Sequence, residues 1–120
     1  MNKLMLVSIV VGVGSLTGCQ ESAGASAARG ACAGMAWLAS TDAATASPGL
    51  IKGYADDVVS KLLEASQADP RYNDLARAGM IAMQRVEQDG FTPQLYDAPS
   101  YAVLTELADT QCNALGVGKH

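Results

Sequence analysis

The chain has 120 residues, 12 acidic against 8 basic side chains, a formal net charge of −4, three cysteines and one histidine. A chain of this length buries only about two-thirds of its unfolded surface, so one small domain with a modest core is expected. No basic patch able to neutralise several phosphates is visible, which argues against nucleic acid as a partner. The lone histidine, His120, stands at the very end of the chain, which argues against a metal site.

Met1-Asn2-Lys3 is a short, positively charged start, and Leu4 to Leu16 is an uncharged apolar run. Roughly a dozen apolar residues is the length of a signal-peptide core. A membrane-spanning helix needs ~20, and Gln20-Glu21 stops the run short of that. The run closes on Leu16-Thr17-Gly18-Cys19, an aliphatic residue, two small ones and a cysteine. This segment resembles the lipobox of bacterial lipoproteins. The resemblance implies cleavage before Cys19, a diacylglyceryl thioether on its sulfur and an acyl group on its amine. One acyl chain holds a protein only marginally, whereas several make a lasting anchor. Gln20, where a retention signal would carry Asp, implies an outer-membrane address facing the periplasm. Residues 1–18 are then the leader, 19–28 the lipidated N-terminus with a flexible Ala/Ser/Gly-rich tether, and 29–120 a helical domain.

With Cys19 lipidated, Cys32 and Cys112 are left as a pair in an oxidising compartment, and a disulfide between them is expected. Chain-entropy reasoning puts the contribution of so wide a loop at up to roughly 4.5 kcal/mol.

From about Ala28 the pattern becomes helical, with Ala28, Cys32, Met35 and Ala39 on one face and Trp37 beside it. Asp42 to Ser47 reads as a linker or weak turn. Ser47-Pro48 is a helix start, followed by the stripe Ile51, Tyr54-Ala55, Val58-Val59 and Leu62-Leu63. Asp69-Pro70 repeats the device, and Tyr72, Leu75-Ala76, Gly79-Met80, Met83 and Val86 form a second stripe ending near Gly90. After the connector Phe91 to Tyr101, a last helix carries Leu104, Leu107, Cys112 and Leu115 and ends at Gly116. No alternating β-branched pattern occurs. The expected fold is all-α: a small four-helix bundle with a disulfide between its first and last helices.

Catalysis is hard to build from these residues. The sequence holds no nucleophile elbow, zinc-protease helix or phosphate loop, and no cofactor is expected. The pairs Asp56-Asp57 and Glu87-Asp89 read as solvated helix faces. Met80 and Met83 with Tyr72 fit either core packing or the lining of a pocket. The connector places Phe91, Leu95, Tyr96 and Tyr101 around two prolines, which suits either an interface anchor or packing onto the core, and Trp37 carries the same two readings.

Two helical families resemble the body. The lipobox, Gln20, Cys32 and Cys112 are similar to features of the helical type II secretion pilotins. Cys32-Ala33-Gly34 with Asp42-Ala43, and Val58-Val59, Leu62-Leu63-Glu64, Pro70, Ala76 and Ala82, are similar to the immunity proteins against type VI amidase toxins. Met35 replaces that family's usual aromatic, and Val86-Glu87 stands where its phenylalanine-proline-cysteine ending is expected. Both resemblances imply a non-enzymatic envelope protein that binds a periplasmic protein.

The lipobox yields a direct expectation. Wild-type protein should partition with membranes and carry acyl mass on Cys19, and Cys19→Ser should stay unprocessed and unacylated. Equal processing and equal membrane binding of the serine variant would refute the anchor.

Overall fold

A computed structural model describes residues 22–91 and 99–117. The expected leader, Cys19, Leu95, Tyr96 and His120 lie outside the described residues. Helix α1 spans Ala23–Leu38 and is capped by Ser22, whose hydroxyl accepts the Ala25 N–H at 3.1 Å. The helix thus begins before Ala28, and the stretch from Ala23 to Ala28, expected as tether, is its first turns. Alanine is the strongest helix former, and Gly24, Ala27 and Ala28 are already buried. Side chains this small fill the core without marking it by hydropathy.

Helix α2, Thr41–Ala44, is a single turn in the expected linker. Helix α3, Pro48–Ala68, opens as its sequence dictates, with the Ser47 hydroxyl accepting the Leu50 N–H at 3.2 Å and Pro48 in the first turn. At the next boundary the Asp69 carboxylate accepts the Arg71 N–H at 3.0 Å. Pro70–Tyr72 is one turn of 3₁₀ helix, and helix α4 follows as Asn73–Gln88. Its end is a Schellman motif, in which the Phe91 N–H reaches the Val86 carbonyl at 3.1 Å and the Gly90 N–H that of Glu87 at 2.9 Å. Gly90 has φ of 77°, which a glycine adopts without steric cost.

Helix α5, Pro99–Glu106, continues through a π-helical stretch, Leu107–Gln111, into a last α turn, Cys112–Ala114. The Cys112 N–H bonds the Leu107 carbonyl five residues back. An α-helical turn would carry residue 112 round the axis away from residue 107. The wider turn returns both side chains to the core, where both are buried. A second Schellman motif at Gly116 then sets Val117 into the core.

The four long helices close into a ring, α1 on α3, α3 on α4, α4 on α5 and α5 on α1. No strand occurs among the described residues. Helices α1 and α3 run antiparallel, Gly24 meeting Ala68 and Asp69, Gly30 meeting Lys61 and Gly34 meeting Val58. The α1 backbone therefore approaches α3 with almost no side-chain layer between them. Gly79 does the same for α4, since its missing Cβ leaves the space filled by Leu62. The disulfide Cys32–Cys112 joins first and last helices across 80 positions of sequence, with Cα atoms 6.1 Å apart and both residues buried.

Stability should follow this geometry. A Cβ at Gly34 would stand 2.6 Å from Val58 Cγ2, so Gly34→Ala should destabilise by about 1–3 kcal/mol despite the better helix former. Gly79→Ala should do the same against Leu62. Gly53→Ala, with nothing within 4 Å of its Cβ, should be neutral or stabilise by up to about 1 kcal/mol. Replacing Cys32 and Cys112 by alanine should lower Tm by more than about ten degrees. Thermal melts of the four variants decide each case.

Candidate functional site

Helix α3 separates two surface depressions, and their chemistry follows from which flank of α3 each uses. Positions 52, 55, 56 and 59 project toward α4, and positions 50, 54 and 57 lie on the other flank, where Trp37 of α1 stacks on Tyr54. The α4 side forms a groove of about 470 Å³. Ala55, Val59, Met80 and Met83 give it an apolar floor, Phe91 closes one end, and Lys52, Asp56, Arg77 and Glu87 stand at its rim. Both methionines serve two roles, since Met83 is buried and Met80 half-buried against the core while each lines the groove. Tyr72 is not part of it. That ring is fully buried near Gly24, its hydroxyl accepting from Arg71 Nη2 at 2.9 Å.

Phe91 reaches the groove through unusual backbone, with φ of 53°, a left-handed conformation that costs a non-glycine residue about 1–2 kcal/mol. The Schellman hydrogen bonds and packing against the core hold it there. At the rim, the hydrogen bond from Lys52 Nζ to Asp56 Oδ2, 2.7 Å long, and the charge of Asp56 raise the lysine pKa above its ordinary value, and the Glu87 charge adds to this. The groove offers an apolar bed with charges of both signs at its edge.

On the other flank, Trp37 and Tyr54 lie parallel, ring centroids 3.8 Å apart and planes 7° from each other. Trp37 is half-buried, as is Tyr54. Beside them Gly49, Leu50, Gly53, Tyr54 and Asp57 outline a shallower depression of about 310 Å³. Leu50 is 50% exposed, as is Ile81 on the rim of the α4 groove.

The expected interface residues divide accordingly. Phe91 belongs to the groove, Trp37 backs the depression across α3, and Tyr101 is half-buried on α5, lining neither. The structure thus does not gather Trp37, Phe91 and Tyr101 into one surface. Tyr54, which its spacing places toward the core, packs half-buried against it and also lines the depression, while Leu50 and Ile81 are exposed. A signal for Ile81 exists in the sequence: it lies between Arg77 and Arg85 at helical spacing, an apolar residue on a charged face. Among the described residues no three His, Cys, Asp or Glu side chains gather as metal ligands, and no helix is long and apolar enough to cross a membrane.

Exposed and buried apolar residues here should separate cleanly on mutation. Leu50→Asp and Ile81→Asp should change unfolding free energy by no more than about 0.5 kcal/mol, because both lie at the surface. Met83→Asp puts a carboxylate into the core and should cost several kcal/mol or prevent folding. Denaturant titration of the three variants tests the assignment. Comparison with known proteins brings no match, whether to a family model, a curated sequence or a solved structure.

Proposed function

We propose that this chain is a non-enzymatic outer-membrane lipoprotein that presents its helical domain to a periplasmic protein partner. The observation that carries the reading is the α3–α4 groove, an apolar bed with Met80, Met83 and Phe91 in it and Ile81 exposed at its edge. Contiguous apolar surface rimmed by charge is what protein interfaces use, and methionine adapts its shape to a partner at small cost. The buried Cys32–Cys112 bond fits an oxidising compartment, and the Leu16–Cys19 resemblance supplies the anchor. The anchor then keeps the surface that the partner meets close to the membrane, since α1 begins only a few residues after Cys19.

The test is photo-crosslinking in cells from the full-length protein. A crosslinker at Gln84, on the groove rim, should capture one discrete protein, and Ile81→Asp should lower that yield at least about tenfold. A crosslinker at the exposed Ala102 of α5 should not capture it. A toxin as the captured species would make the chain an immunity protein, and a secretin would make it a pilotin-like assembly factor. No capture from Gln84, or capture indifferent to Ile81→Asp, would refute the groove as an interface.

A further inference from the structure

The smaller depression has a composition suited to one class of side chain. Tyr54 forms one wall, and Trp37 covers one face of that ring without lining the depression, so the depression sees the remainder of the ring. The stack holds the phenol plane rigid. Leu50 forms an apolar wall, and the floor is α3 backbone at Gly49 and Gly53. A Cβ at Gly53 would meet nothing within 4 Å and one at Gly49 only Ser47 Oγ at 4.0 Å, so the space above them is open. Asp57 supplies the charged group. Its Oδ2 accepts from Lys61 Nζ at 2.8 Å, while the Lys61 stem lies over Gly30 of α1. A carboxylate has about four lone-pair sites, so Asp57 can accept further donors. An exposed pair of this kind is worth about 0.3–0.5 kcal/mol, little resistance to sharing.

An aromatic ring, an aliphatic wall and a carboxylate, with no cationic side chain lining the space, disfavour an anion and favour a flat organic cation. Arginine meets all three: its guanidinium stacks on aromatic rings and pairs bidentately with carboxylates, and its stem packs on aliphatic surface. A volume of about 310 Å³ suits one side chain. The chain's net charge of −4 adds a favourable field for a basic partner.

We propose that the Leu50–Tyr54–Asp57 depression receives a single arginine side chain of a protein partner, with the guanidinium against Tyr54 and paired to Asp57. This rests on the reading of the domain as a protein-binding module and assigns the partner a basic contact on this flank.

The probe is a blocked glycine–arginine–glycine peptide titrated into the full chain in non-ionic micelles, with its citrulline counterpart as control. Amide shifts should saturate at Gly49, Leu50, Gly53 and Tyr54, and the fluorescence of Trp37, the one tryptophan, should follow the same curve. Asp57→Asn, at an exposed position, should weaken binding about tenfold. Tyr54→Leu should weaken it about fivefold, whereas Asp56→Asn on the opposite flank should not. Lys61→Met, which keeps the stem over Gly30 and removes the competing charge, should tighten it about twofold. Shifts scattered over all acidic faces, equal binding of citrulline, or indifference to Asp57→Asn would overturn the assignment. A peptide that binds as described while crosslinkers at Gln84 and Gly53 capture no protein upholds the arginine pocket and refutes the protein-binding reading. A captured protein with no peptide binding at the depression overturns the pocket and leaves that reading intact.

Discussion

The approach of α1 to α3 is the constraint on which the rest of the bundle depends. Gly34 lets Val58 sit against the α1 backbone, and the same antiparallel register brings Gly30 under Lys61, Gly24 beside Ala68 and Trp37 onto Tyr54. Small residues do this at some cost, because glycine in a helix is worth up to about 1 kcal/mol less than alanine. Close packing returns that cost through dispersion contacts along the whole interface. Gly79 repeats the arrangement for α4 against Leu62, so α3 is gripped closely from two sides. Its outer flanks are then left uncovered, and both surface depressions border them.

The ring closes through the last helix, and two devices bring it into place. The π-helical stretch Leu107–Gln111 shifts the phase of the helix so that Leu107 and Cys112 share the core side. The disulfide then ties Cys112 to Cys32 on α1. A small domain has too little apolar area to hold its last helix strongly by burial alone, and a covalent link between distant positions restricts the unfolded chain instead. The Schellman turn at Gly116 adds Val117 to the same core immediately past the bridge.

The two flanks of α3 differ in what they can hold. Toward α4 the surface is deep, methionine-lined and edged by both charges, with Lys52 paired to Asp56. Toward α1 it is shallow and rigid, built on a stacked aromatic pair with an acid at its end. A partner that spans α3 can use both at once, burying apolar groups on one side and a cation on the other. Phe91 and Trp37 belong to different flanks.

Within the described residues, the sequence by itself determined what depends on near neighbours along the chain. Ser47-Pro48 and Asp69-Pro70 mark helix starts and Gly90 and Gly116 mark ends because caps and left-handed turns are local events, settled within about four residues. The all-α class and the pairing of Cys32 with Cys112 were legible for related reasons, a helical period in one case and a cysteine count in the other. The early start of α1 was not legible, since Gly24, Ala27 and Ala28 bury too little side chain to create hydropathic contrast. Nor was the π turn, which answers to the position of Cys32 on another helix. Tyr54, Val59 and Met80 carry the same periodicity as true core residues, and only the spacing between helices left them half-buried. That spacing is decided by Gly34 and Gly79 meeting Val58 and Leu62, contacts between residues far apart in the chain, and so the surface that a partner would meet belongs to the tertiary structure alone.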